Sequence, residues 1–281
     1  MKIDFLGDTG TALCDPDSGL QLARAMKDAP TTSDVYDGQE FDEWSEFDGL
    51  IREEETLLRR HLLGRPKAGR ILEVGTGAGR LLIELHGRGF TSLRGIDLSE
   101  RLLAVAREKA AQSGAGIGFE IQDAADLRFA DGSFDVVLGR QQVLSFIESP
   151  EARRRALQHF HRVLAPGGLL LASVLHWESR RMNPWLGIAL APLKLLKGDG
   201  RHINRQYLPW LKLGGKANLR YPFEAQPYTY WYRKAEFEQA ITGAGFELLD
   251  VTTSRTLLEG GDKLAFGGML YAVARKPEGV K

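Results

Sequence analysis

The sequence predicts an α/β fold: an open, mostly parallel sheet of seven strands with helices on both faces, plus an N-terminal segment and a cap inserted after the fifth strand. Three observations carry this. Between residues 51 and 175, short apolar runs alternate with stretches of helical periodicity, and the pattern resumes from 228 to 276. The first apolar run ends in three closely spaced glycines, Gly75, Gly77 and Gly79, at a strand-to-helix junction. The intervening stretch, 178–227, is basic and aromatic and is broken by five prolines.

The elements follow in order. Ile51–Leu63 has helical periodicity and stops at Gly64 and Pro66. Arg70–Val74 is a buried strand, and Gly79–Arg88 a helix closed by Gly87 and Gly89. Leu93–Ile96 is the second strand, ending at Asp97. Ser99 is placed to cap the next helix, whose apolar face holds Leu102, Leu103, Val105 and Ala106. Gly118–Gln122 and Phe134–Gly139 are strands three and four. Pro150–Val163 is a helix, followed by the turn Pro166-Gly167-Gly168 and a fifth strand, Leu169–Val174. Lys234–Ala244 is a helix, and Phe246–Thr253 and Gly268–Ala274 complete the sheet. The chain therefore divides into an N-terminal lid segment (1–50), a core (51–177), an inserted cap (178–232) and the rest of the core (233–281).

Composition excludes several classes. The 281 residues carry 37 Lys and Arg against 37 Asp and Glu, so the basic excess of a generic nucleic-acid binder is missing. Cys14 is the sole cysteine, which rules out an intrachain disulfide or a multi-cysteine metal site; no metal is expected. The acidic start lacks the apolar core of a signal peptide, and the longest apolar stretch, Leu186–Leu196, is too short to span a bilayer. These features point to a cytoplasmic protein. Neutrality conceals an asymmetry: residues 1–56 hold 9 Asp and 6 Glu against 2 Lys and 2 Arg, while residues 180–220 hold 5 Arg and 4 Lys against Asp199 alone. The two segments are expected to meet as a clasp over the ligand site, unless the positive charge serves an anionic substrate or a membrane surface.

The glycines let backbone approach a ligand closely, and Asp97, twenty residues beyond Gly77, is placed to accept both ribose hydroxyls of a nucleoside. Glu73 precedes the loop. A carboxylate there opposes the pyrophosphate of a dinucleotide and suits a ligand with a cationic amino-acid end.

The segment Ile71-Leu72-Glu73-Val74-Gly75-Thr76-Gly77-Ala78-Gly79 resembles the first motif of the class I S-adenosylmethionine-dependent methyltransferases, which have a Rossmann-like core. Four further segments match in order: Ile96-Asp97-Leu98-Ser99, Gln122-Asp123-Ala124-Ala125-Asp126-Leu127, Phe134-Asp135-Val136-Val137-Leu138-Gly139, and Arg162-Val163-Leu164-Ala165-Pro166-Gly167-Gly168. Phe237 to Phe246 matches the late helix. The resemblance implies S-adenosylmethionine as cofactor and S-adenosylhomocysteine as product. It implies that Gly75, Thr76, Gly77 and Gly79 line the cofactor loop and that Glu73 lies near the methionine end. Asp97 then binds the ribose, Leu98 packs on the adenine, and Asp123 and the Ala124 amide read the adenine edge. Gly139 to Gln142 pass beneath the sulfonium, with Gln141 contacting the cofactor or orienting a substrate, and Tyr36 closes over the cofactor from the N-terminal segment, with Trp44 as the second candidate.

The acceptor is read as a small organic molecule methylated on O or N. The DNA-amino motif is absent after strand four, where Gly139-Arg140-Gln141-Gln142 stands, and cysteine-dependent chemistries lack their cysteines. His176, just past the fifth strand, is the candidate general base. Gln142, Trp177, Tyr228, Tyr230 and Trp231 are candidate substrate contacts, because aromatics near a site build an apolar wall with polar handles. Alternatives are a methyltransferase for a lipid or isoprenoid quinone at a membrane surface, with Leu186–Leu196 as an interfacial helix; an NAD-dependent oxidoreductase; and a non-catalytic partner protein of the same fold.

Overall fold

The computed structural model describes residues 45–46, 48–178, 212–213, 216–217, 229–258 and 268–279. The chain begins there with α1 (Arg52–His61), followed by β1 (Arg70–Val74), α2 (Arg80–Gly87), β2 (Ser92–Asp97), α3 (Glu100–Gln112), β3 (Gly118–Ile121) and β4 (Phe134–Gly139). Next come α4 (Val143–Phe146), α5 (Pro150–Val163), β5 (Leu164–His176), β6 (Lys212–Leu213), β7 (Lys216–Ala217) and β8 (Trp231–Tyr232). The chain closes with α6 (Lys234–Gly243), β9 (Glu247–Thr253), α7 (Ser254–Leu257) and β10 (Met269–Arg275).

The main sheet runs in the order β3-β2-β1-β4-β5-β10-β9. Strands β3 to β5 pair in parallel, and β10 lies antiparallel between β5 and β9. The chain reverses direction across the sheet between β1 and β4, which opens a crevice at the carboxyl ends of those strands. Its strands are buried on both faces. Leu72, Val74, Val137, Leu170 and Ala272 face the layer of α5 and α6, whereas Ile71, Val136, Leu138, Leu171 and Val273 face that of α1, α2 and α3. Ser99 caps α3 by accepting from the Leu102 amide at 3.1 Å, and Ser149 caps α5 from the Ala152 amide at 3.0 Å.

Two features depart from expectation. First, β5 starts at Leu164 rather than Leu169. The glycine turn is stitched into the sheet instead of ending it: Gly167 N–H donates to Lys276 O and Lys276 N–H donates to Gly168 O, both at 2.9 Å. Gly167 at φ +75 absorbs the irregularity. Second, an eighth strand, β8, adds to the far end of β5, pairing Trp231 with Leu175 and Tyr232 with His176. The inserted cap and the N-terminal lid lie largely outside the described residues, and Tyr36, Trp44 and Tyr228 are among those not described. No helix among the described residues is long and apolar enough to cross a membrane.

Candidate active site

The site is built at the carboxyl edge of β1, β2 and β4. After Val74 the chain turns sharply. Gly75 and Thr76 both donate their amides to Ile96 O, at 2.8 and 3.0 Å, which ties the loop to the end of β2. Gly75 sits at φ +69, and a Cβ there would drive into Val143. Gly77, at φ +54, faces open space with no atom within 4 Å of where its Cβ would be. The loop thus presents bare backbone to a cradle that a side chain would fill.

Asp97 stands across from this opening. Its Oδ2 accepts from Gly77 N–H at 2.8 Å and its Oδ1 from Ser99 N–H at 3.0 Å. A carboxylate offers about four lone-pair sites, so orienting it this way leaves capacity for a vicinal diol. Leu98 is 52 % exposed, and Ile121, the register partner of Asp97 on β3, is 46 % exposed. Two large apolar side chains in water beside an oriented carboxylate suit a flat ring. Ile121 was not singled out from the sequence, because only the β2–β3 register puts it beside Asp97. Asp123 is exposed. Its Oδ1 accepts from Ala125 N–H at 2.8 Å, and Ala124 is buried behind it.

Glu73 is buried, and burial pushes its carboxyl up to about 8; the Thr76 hydroxyl, donating to it at 2.7 Å, opposes that rise. Thr76 is therefore turned toward Glu73 rather than toward the cradle. These residues fit S-adenosylmethionine: backbone open to a ligand, an oriented acid for the ribose, apolar walls for the adenine, and a buried carboxyl able to ionise against an ammonium.

The main residue that sequence reasoning missed is Glu54 of α1, which is fully buried. It takes Arg80 in a two-pronged pair at 2.6 and 2.7 Å and also accepts from Gln141 Nε2 at 2.5 Å. Arg80 Nη1 also donates to Gly49 O at 2.5 Å. Burial would raise the Glu54 pKa, but the Arg80 guanidinium overrides this and holds it below the usual carboxylate range. Three consecutive glutamates, Glu53–Glu55, were visible in the sequence, yet nothing in their spacing told which would be buried. Their partners also revise the clasp. Glu54 pairs with Arg80, Glu55 with Arg88 at 2.6 Å and Asp48 with Lys109 at 2.6 Å, so this described end of the acidic segment is neutralised by the core itself.

Other candidates fall elsewhere. Gln141, expected beneath the sulfonium, spends its amide on Glu54. It and Gln142 both adopt left-handed backbone, φ +50 and +68, a strained arrangement for two non-glycine residues in a row. Gln142 is buried and donates to Met269 Sδ at 3.4 Å. Tyr230 is committed to the core: its ring lies under the Arg153 guanidinium at 3.9 Å and its hydroxyl donates to Glu236. Trp231 is buried in β8 against Leu175, with Trp177 packed beside them. His176 pairs through Nε2 with Glu178 at 2.9 Å. Strand alternation puts its side chain with Ala172 and Val174 in the layer of α5 and α6, whereas Glu54 and Glu73 belong to the opposite layer.

Residues 71–168 match a family model described as a methyltransferase domain. The chain is 36 % identical over 104 residues to a ubiquinone/menaquinone biosynthesis C-methyltransferase of Geotalea daltonii, covering 36 % of this chain and 43 % of that one. It is 39 % identical over 113 residues to a ubiquinone biosynthesis O-methyltransferase of Ruegeria pomeroyi, covering 40 % and 44 %. The chain spans less than half the length of these curated relatives. A solved SAM-dependent methyltransferase of Methanosarcina mazei superposes with TM-score 0.58 at 19 % identity, over 83 % of this chain and all of that one. The chain thus has the fold of solved SAM-dependent methyltransferases, and its residues 71–168 resemble a methyltransferase domain, a likeness that implies S-adenosylmethionine as cofactor.

Proposed function

We propose that the protein transfers a methyl group from S-adenosylmethionine to an oxygen or nitrogen of a small organic molecule. The observation that supports it best is the pairing of open glycine backbone at Gly77 with an oriented Asp97 and a buried, ionisable Glu73. When bound, S-adenosylmethionine supplies an electrophilic methyl group, taken in line by a lone pair of the acceptor while the carbon–sulfur pair returns to sulfur. The chain positions and desolvates. Asp97 holds the ribose, Leu98 and Ile121 flank the adenine, Asp123 and the Ala124 amide read its edge, and Glu73 receives the amino-acid end. Positioning supplies most of the rate in such a transfer.

A protonated acceptor must lose its proton. His176 is the proposed recipient: burial lowers its pKa, so the ring is neutral and basic near pH 7, and Glu178 is placed to stabilise the imidazolium. His176→Ala is expected to reduce turnover while S-adenosylhomocysteine affinity stays unchanged. Unaltered turnover would instead assign the ring to anchoring the β5–β8 junction. The matched relatives include both carbon and oxygen methyltransferases, so the O or N preference rests on the sequence reading. The decisive measurement is calorimetric titration with S-adenosylhomocysteine and, separately, NAD. Tight binding of the former alone is expected; NAD binding without it would replace this function with a dehydrogenase.

A further inference from the structure

Across β4, β5 and β10, one face of the sheet carries a polar row beside a buried apolar one. Leu138, Leu171 and Val273 stand side by side across β4, β5 and β10, all buried. One alternation further toward the carboxyl edge of β4, the same face carries Arg140, Ser173 and Tyr271. Arg140 is 2 % exposed. Among the described residues, its Nε and Nη1 have no hydrogen-bond partner, nor have Ser173 Oγ and Gln142 Oε1. The closest carboxylate oxygen to Arg140 Nη2 is Glu54 Oε1 at 3.7 Å, beyond hydrogen-bond reach and already held by Arg80 and Gln141. The guanidinium leans across β5 to lie 5.8 Å from the Tyr271 ring.

A buried guanidinium with unmet donors is costly, because its water has been stripped and not replaced. Such groups persist where a ligand completes them. The backbone that delivers it, with Gln141 and Gln142 held in strained left-handed conformations, is the kind of local cost found at binding sites.

We propose that Arg140, with Ser173 and Gln142, forms a carboxylate-binding pocket for the methyl acceptor, which is accordingly a small monocarboxylic acid. The inference rests on the methyltransferase reading above. Arg140 bears electrostatically on Glu73 below the glycine loop, but its guanidinium leans to Tyr271 on β10; that lean favours the acceptor as the source of the carboxylate, and the cofactor's own carboxylate is the competing occupant the test separates. The unmet donors set the valence: one guanidinium, with Nε and Nη1 unpaired, answers one carboxylate, while a dianion such as phosphate is opposed by the buried Glu54 beside it.

The test uses the full chain saturated with S-adenosylhomocysteine and probes of defined chemistry: benzoate, phenylacetate and octanoate, each against its neutral amide, by ligand-observed NMR. At least one acid is expected to bind about tenfold or more tightly than its amide, and Arg140→Met is expected to erase that preference while keeping S-adenosylhomocysteine affinity. Acids and amides binding alike, or not binding, overturns the proposal. So does a variant that loses S-adenosylhomocysteine yet keeps 5′-methylthioadenosine, which lacks the carboxylate; that result gives Arg140 to the cofactor. Should Arg140→Met not fold, Gln142→Glu replaces it: an anion beside the guanidinium is expected to remove the acid preference, and its persistence counts against the pocket. If the wild type does not bind S-adenosylhomocysteine, the methyltransferase reading fails, and the same acid–amide comparison on the free protein decides the pocket alone.

Discussion

Two acids at the edge of the sheet do opposite electrostatic work. Asp97 is ready-made: two amides orient its carboxylate before any ligand arrives. Asp97→Ala should therefore weaken S-adenosylhomocysteine binding by one to two orders of magnitude, since a charge-assisted contact is worth about 1.5–3 kcal/mol; calorimetry reads the change directly. Glu73 is strained. Its pKa of about 8 in the fold lies above the ordinary glutamate value of 4.5, so the folded chain binds the extra proton between those two values. Stability consequently falls as pH rises through that window. Glu73→Gln should flatten this dependence and make the ligand-free protein more stable than wild type at pH 9, as read by urea denaturation, yet weaken the cofactor. Binding of a cationic amino-acid end near pH 7 should also release a proton from wild type, detected as a dependence of binding heat on the buffer's ionisation enthalpy. A mutant that gains stability and loses affinity together would separate a site residue from a core residue.

At the scale of elements, α1 is held by unequal bonds. Glu54 is buried among Arg80, Arg140 and Gln141, whereas Glu55 meets Arg59 and Arg88 near solvent. Removing one partner of a buried pair leaves the other charged and unsolvated, so Glu54→Ala should cost about 3–5 kcal/mol. Glu55→Ala should cost less than about 1 kcal/mol although Glu55 makes two ion pairs, because solvent and salt screen them. Urea midpoints of the two variants test the contrast. The strands taught a related lesson. Arg70–Val74 and Phe134–Gly139 were legible to the residue, since each is a short, mostly apolar run that ends at glycine. The start of β5 was not, because Gly167 and Gly168 look like a turn until Lys276 arrives from the other end of the chain to pair with them. Likewise Tyr230 and Trp231 read as aromatics near a pocket, but β8 pairing and the Arg153 and Glu236 contacts draw them into the core.

For the molecule as a whole, binding and folding should be linked. A ligand that occupies only the folded state at a hundred times its dissociation constant adds about 2.7 kcal/mol, which for a domain of this size, at about 2–4 °C per kcal/mol, raises the melting temperature by roughly 5–11 °C. S-adenosylhomocysteine should produce that shift in a thermal scan, and the Asp97→Ala variant should need a correspondingly higher concentration for the same shift.

The sequence by itself determined the α/β layering, the glycine loop and the Glu73–Asp97–Asp123 series, because each depends on local periodicity or on spacing within one strand–turn–helix unit. Tertiary structure alone decided that Glu53 and Glu54 are buried while Glu55 is not, that Ile121 stands beside Asp97, and that Arg140, Ser173 and Tyr271 form one polar row. Those facts depend on strand register and on which helix covers which face. Residues far apart in the chain become neighbours only when the sheet closes, and no period along the sequence encodes that meeting.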